Sequence, residues 1–187
     1  MVDIEQKLAL STIKIFWLIT EDKYEKLRTI EGCDSLLDLK ATVNDGKHIL
    51  AIADAIGVQD EYRYINVSSD VAGLKKNYMT ILKLSKQLSL QNKRHLVFVY
   101  VGGHGATDNE KQIFLLNSDE PKSAQFHIEF KLRYIANDPT SKVNIFAVFD
   151  CCRVNLKNMP GLVNARGAGG GDDFSDESEA EEPCKYF

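Results

Sequence analysis

His95-Leu96-Val97-Phe98-Val99-Tyr100-Val101 runs into Gly102-Gly103-His104-Gly105, and Val143-Asn144-Ile145-Phe146-Ala147-Val148-Phe149 runs into Asp150-Cys151-Cys152-Arg153. Both apolar runs are short, β-branched and aromatic, the composition of buried strands. Each delivers a side chain capable of chemistry just past its carboxyl end. In open α/β sheets, ligands and reactions sit outside those ends. Between the runs, Ile128, Leu132 and Ile135 recur at helical spacing, and the helix they mark over 126–137 stops near Pro139. A helical crossover between two strands makes them parallel. Both reactive loops are therefore expected on one rim of one sheet, about 4.8 Å apart if the strands are neighbours.

Working outward, residues 13–19 read as a first strand and 62–67 as a second, with a polar loop over 20–35. Ile49, Ile52, Ala53 and Ile56 mark a helix over 43–58 that Gly57 ends. Asp70 is the expected N-cap of a helix reaching about residue 92, with Leu74, Tyr78, Ile81, Leu82 and Leu88 as its buried stripe. Residues 113–116 read as a short strand, and 1–10 as a short helix or an edge strand. Alternation of strands and helices predicts an α/β fold of three layers, a mostly parallel sheet between helices. The domain is expected over 1–160. Residues 161–187 read as a Gly-rich and acidic flexible tail, with room for a short element over 159–165.

Of 187 residues, 44% are apolar and 27% charged, which is the balance of a globular chain. No run reaches the roughly 18 apolar residues of a membrane span, so no membrane partner is expected. Met1 to Lys7 carries acids and no basic stretch before an apolar one, unlike a secretory signal. With Cys33, Cys151, Cys152 and Cys184 and no export signal, a reducing cytoplasm is expected. No CxxC or HxxxH spacing suggests zinc, and neither a metal nor a cofactor is expected. The net charge of −4 hides seven acids and one base in 168–187, which leaves 22 bases and 20 acids in 1–167. Those bases are scattered, which argues against a nucleic-acid surface.

A cysteine attacks as its thiolate, and a neighbouring imidazole favours that form. His104 lies between glycines, which allow close backbone approach. The amides of Gly105 and of the cysteine would form an oxyanion hole. Gly102 to Gly105 lacks the spacing of phosphate-binding glycine loops. The residues themselves leave open which of Cys151 and Cys152 is the nucleophile.

Tyr100-Val101-Gly102-Gly103-His104-Gly105 resembles the Y-x-G-H-G type motif of the caspase and metacaspase clan of cysteine peptidases. Phe149-Asp150-Cys151-Cys152-Arg153 resembles its D-x-C-[HR] nucleophile motif. Leu39-Lys40-Ala41-Thr42-Val43-Asn44-Asp45 is similar to the family's segment ending in N-D before its first helix. Ile113 to Asp119 stands where the family has a Y-L-L-P-x-D strand. The resemblance runs from about residue 13 to 153. It implies a caspase-like large-subunit domain acting as a cysteine endopeptidase on protein or peptide substrates. It further implies His104 as base and Cys152 as nucleophile, with the Gly105 and Cys152 amides as oxyanion donors. Asp45, Asp150 and Gly102 would line the pocket for the residue before the scissile bond, and the two acids there favour arginine or lysine.

Two departures shape the expectation. Asp108 and Glu110 are too few for a metacaspase-like calcium loop, so no calcium requirement is expected. The family's smaller C-terminal subunit has little sequence here to match it, which implies a separate small subunit or a dimer partner. Arg166, before the glycines, is the expected self-cleavage site. The second reading is a catalytically inactive caspase-like regulatory or interaction module. Retention of both dyad residues favours the peptidase, and the short C-terminal region favours the module.

Overall fold

A computed structural model describes residues 12–108, 111–139, 141–152 and 154–167. The main sheet holds four parallel strands in the order β2-β1-β3-β7. These are β1 (Ile13–Thr20), β2 (Arg63–Val67), β3 (His95–Gly103) and β7 (Val143–Cys151). Helix α1 (Thr42–Ala55) joins β1 to β2, and α2 (Val71–Leu90) joins β2 to β3. The third crossover, from β3 to β7, includes α3 (Ile128–Ala136).

The chain steps one way across the sheet from β1 to β2 and the other way thereafter. Right-handed crossovers, the near-universal rule for parallel strands, then put α1 on one face and α2 and α3 on the other. The two cores have that arrangement. Ile15, Trp17, Ile19, Val97, Val99 and Val101 pack with Leu74, Tyr78, Ile81 and Leu132 of α2 and α3. Phe16, Leu18 and Tyr100 pack with Ala53, Ile49 and Leu50 of α1. Strand β1 is thus apolar on both faces, as an interior parallel strand must be. The fold is α/β, with a mostly parallel sheet between helices.

Asp70 caps α2 through a 2.8 Å bond from the Gly73 amide, and all five residues of the expected stripe are buried. Such a cap stabilises by about 1 kcal/mol. Lys131 of α3 is buried among apolar residues because its ammonium lies over the Tyr78 and Phe126 rings, 4.9 and 5.5 Å from their centroids. Strand β7 is an outer strand of the sheet and, unlike the buried strand its composition predicts, holds no fully buried residue, because one edge has no neighbouring strand among the described residues; Phe146 stays 56% exposed while stacking on Phe98. Among the described residues no helix is long and apolar enough to cross a membrane.

The structure departs from the sequence expectation in three further places. A second sheet, ordered β6-β5-β4-β8, continues from the first. It comprises β4 (Gly105–Asp108), β5 (Lys111–Leu115), β6 (Gln125–Phe126) and β8 (Val154–Asn155). Next, the loop expected to be polar over 20–35 has an apolar interior. Tyr24, Leu27, Ile30, Cys33 and Leu36 form a core with Ala106, Ile113, Leu115 and Leu162. The bond from the Leu39 amide to the Asp22 carbonyl, 2.9 Å, closes this loop at its base. Finally, the body continues past 160 into α4 (Pro160–Gly167). Leu162 is fully buried there, and its carbonyl accepts a 3.0 Å bond from the Gln125 side-chain nitrogen. Arg166 therefore lies on helical backbone rather than in a linker, and cleavage after it requires that turn to unwind. The element expected over 1–10, Arg153, and the Gly-rich and acidic stretch from 168 lie outside the described residues.

Candidate active site

Strands β3 and β7 pair in a register of constant offset, from His95 opposite Val143 to Gly103 opposite Cys151. The same offset of 48 returns between β4 and β8, where Ala106 faces Val154. His104 and Cys152, also 48 apart, occupy the gap between the two ladders. At that gap both strands leave the main sheet and enter the second. The separation of the two residues in sequence is thus the strand register itself, and the break in pairing frees both side chains to meet.

Cys152 Sγ lies 3.5 Å from His104 Nδ1. His104 Nε2 lies 2.8 Å from the Leu37 carbonyl. A carbonyl only accepts, so Nε2 carries the proton and Nδ1 faces the thiol as acceptor. Tyr24 holds the same residue from behind. Its hydroxyl accepts from the His104 amide at 2.7 Å and donates to the Glu21 carbonyl at 3.0 Å, and its ring packs 4.5 Å from the imidazole. The loop after β1 thus supplies two supports for His104. Neither was expected from sequence, since Leu37 acts through its backbone and Tyr24 lay in the supposed polar loop.

The electrostatics of the pair agree in sign. The His104 hydrogen bond lowers the Cys152 pKa, outweighing burial, and the Gly105 amide and the imidazole charge lower it further. Burial alone would depress His104, but its bonds to Cys152 and Leu37, with the thiolate charge, carry it above its ordinary value. A lowered thiol beside a raised imidazole favours thiolate and imidazolium. Cys33 behaves in the opposite way: buried in the second core, its thiol is pushed up to about 11 by desolvation, with the Asp34 charge adding.

The Gly105 amide points at Cys152 Sγ from 3.5 Å, and the Cys152 amide also lies against its own sulfur. Both amides expected as oxyanion donors thus lie beside the Cys152 sulfur. Gly105 has no room for a side chain. A Cβ there would sit 2.6 Å from the Cys152 carbonyl, 3.1 Å from Cys151 Sγ, and in collision with the Gln112 side-chain nitrogen. Buried Gln112 spans this corner. Its Nε2 is 3.4 Å from the Ile113 carbonyl, the Cys151 sulfur and the Cys152 carbonyl alike. The structure brings Cys152 to His104 and Cys151 to Gln112.

On the α1 side of the rim, two rungs before the gap, Gly102 pairs with Asp150. The Tyr100 hydroxyl donates to Asp150 Oδ2 at 2.8 Å. A Cβ on Gly102 would lie 2.9 Å from the Tyr100 ring and 3.2 Å from Thr42 Cγ2. Only a glycine lets the phenol cross to Asp150. Asp45, in the first turn of α1, is close enough that its charge also acts on Tyr100. Burial, then the bond and charge of Asp150, then the charge of Asp45 drive the Tyr100 phenol far above its ordinary value. Asp150 is thus bonded to a buried tyrosine whose ring lies against Gly102, and Asp45 acts on the same phenol through its charge. No cluster of three or more His, Cys, Asp or Glu able to hold a metal occurs among the described residues.

No family model matches this chain, and no curated protein matches it significantly.

Proposed function

We propose that the protein is a cysteine endopeptidase of the caspase and metacaspase type that cleaves after arginine or lysine. The observation that carries the reading is the 3.5 Å approach of Cys152 Sγ to a His104 whose other nitrogen is tied to the Leu37 carbonyl. In this reading the three-layer fold is the family's large-subunit fold, and the motif resemblance supports it.

His104 Nδ1 takes the Cys152 proton, and the thiolate attacks the scissile carbonyl carbon. The carbonyl oxygen becomes an oxyanion, held by the Gly105 and Cys152 amides. His104 returns its proton to the leaving amine, which departs and leaves a thioester on Cys152. Water, deprotonated by His104, attacks the thioester; the acid product leaves and the thiol is restored. The Asp150 and Asp45 carboxylates select a cationic side chain by charge. A reducing cytoplasm keeps an exposed thiolate in working form. A partner that adds strands, such as a small subunit, fits the edge of β7, which no strand covers among the described residues.

The test uses fluorogenic peptides that end in arginine, lysine or aspartate. Cleavage after arginine and lysine, lost in Cys152→Ala, supports the proposal. Absence of cleavage by the wild type, or cleavage that persists in Cys152→Ala, overturns it.

A further inference from the structure

We propose that Tyr100 is a specificity-determining positioning residue, whose phenol holds Asp150 so that the other carboxylate oxygen meets the guanidinium of a substrate arginine side chain. The inference rests on the peptidase reading of the His104–Cys152 pair and names how that site selects its substrate.

Three observations carry it. Tyr100 is a core residue of the α1 face, yet its hydroxyl reaches the exposed rim, and its hydrogen bond among the described residues is to Asp150 Oδ2. A phenylalanine would fill the same core space, so the hydroxyl needs a reason of its own. Gly102 and Thr42 leave the passage that the phenol uses, at the cost of any side chain at 102. Asp150 stands two residues before Cys152, about 7 Å along a parallel strand, so its orientation is set relative to the nucleophile. An exposed carboxylate is otherwise free to rotate and is screened by water. A bond to one oxygen removes that freedom before the substrate arrives, which strengthens binding by preorganisation. The remaining oxygen, with Asp45 nearby, offers acceptors to a planar cation.

The test compares two peptides that differ only in the residue before the scissile bond, arginine or the neutral, similarly shaped citrulline. The wild type is expected to prefer arginine. Tyr100→Phe raises KM for the arginine peptide about tenfold with kcat within about twofold, and the arginine-to-citrulline ratio of kcat/KM shrinks accordingly. Asp150→Asn loses the same preference, and adding Tyr100→Phe to it has little further effect, because the tyrosine acts through that carboxylate. A Tyr100→Phe protein with the wild-type ratio, or full additivity of the two substitutions, overturns the inference. A wild type that cleaves both peptides equally overturns it while leaving the peptidase reading intact. A wild type that cleaves neither overturns the peptidase reading and this inference with it.

Discussion

Gly105→Ala adds one methyl group at the most crowded point of the site. That carbon would sit 2.6 Å from the Cys152 carbonyl oxygen, where ordinary contact begins at 3.4 Å, so the two are about 0.8 Å too close. Gln112 has no easy retreat, since it is buried and its side-chain nitrogen faces three acceptors. The displacement therefore falls on the backbone of Cys152 and on the Gly105 amide aimed at its sulfur. A misplacement near 1 Å costs on the order of 100-fold in rate. Overpacking of this kind costs about 1–3 kcal/mol of stability. The assay pairs kcat/KM on an arginine peptide with the rate of Cys152 alkylation and a melting curve. We expect kcat/KM to fall about 100-fold in a protein that still folds. Wild-type kinetics in Gly105→Ala would refute the role given to this corner.

The remaining predictions concern stability. His95 is fully buried, with Nε2 2.6 Å from the Ser85 hydroxyl, and burial lowers its pKa despite the Lys93 carbonyl. The unfolded chain then binds the proton more readily, so this contribution is present above the unfolded value of about 6.5 and is lost as pH falls. The drop in melting temperature between pH 7 and pH 5 should shrink in His95→Gln; an unchanged drop contradicts it. Comparison with that variant separates His95 from His104, whose raised value acts in the opposite sense. Leu162→Ala should cost about 2–5 kcal/mol in urea unfolding, because it empties a fully buried site in the second core. A surface-like cost of under about 0.5 kcal/mol would mean that α4 is not docked. Asp70→Ala should cost about 1 kcal/mol through loss of the α2 cap, with Cys152 alkylation at the wild-type rate.

The parts of the fold visible in the sequence are those where one local signal suffices. Strands β1 and β3 are largely apolar runs because interior parallel strands are buried on both faces, β7 is a similar run although it stands at the edge of the sheet, and α2 announces itself by Asp70 and its stripe. His104 and Cys152 were legible because each follows such a run. What was hidden depends on partners distant in the chain. Strands β4 and β8 are four and two residues long, too short to alternate, and exist because they prolong the β3–β7 register past the gap. Leu37 supports His104 through a carbonyl that every residue possesses, so no side-chain pattern could mark it. Tyr24 did leave a trace: with Leu27, Ile30, Cys33 and Leu36 it forms a three-residue apolar rhythm that the intervening charges obscure. The glycines around 161–171 suggest a linker from 161 onward, whereas buried Leu162 anchors a helix that includes Gly161 and Gly167.

The His104 imidazole lowers the Cys152 thiol, and the pH profile of Cys152 alkylation reads this out. Iodoacetamide is applied across pH 5 to 10, with modification of each cysteine read by mass spectrometry. Cys152 should react first, at a pH below the ordinary thiol range near 8.5, while Cys33 stays inert. In His104→Ala the Cys152 profile should move up to that ordinary range. A wild-type Cys152 that titrates as an ordinary thiol, or a profile that His104→Ala leaves in place, would contradict the account.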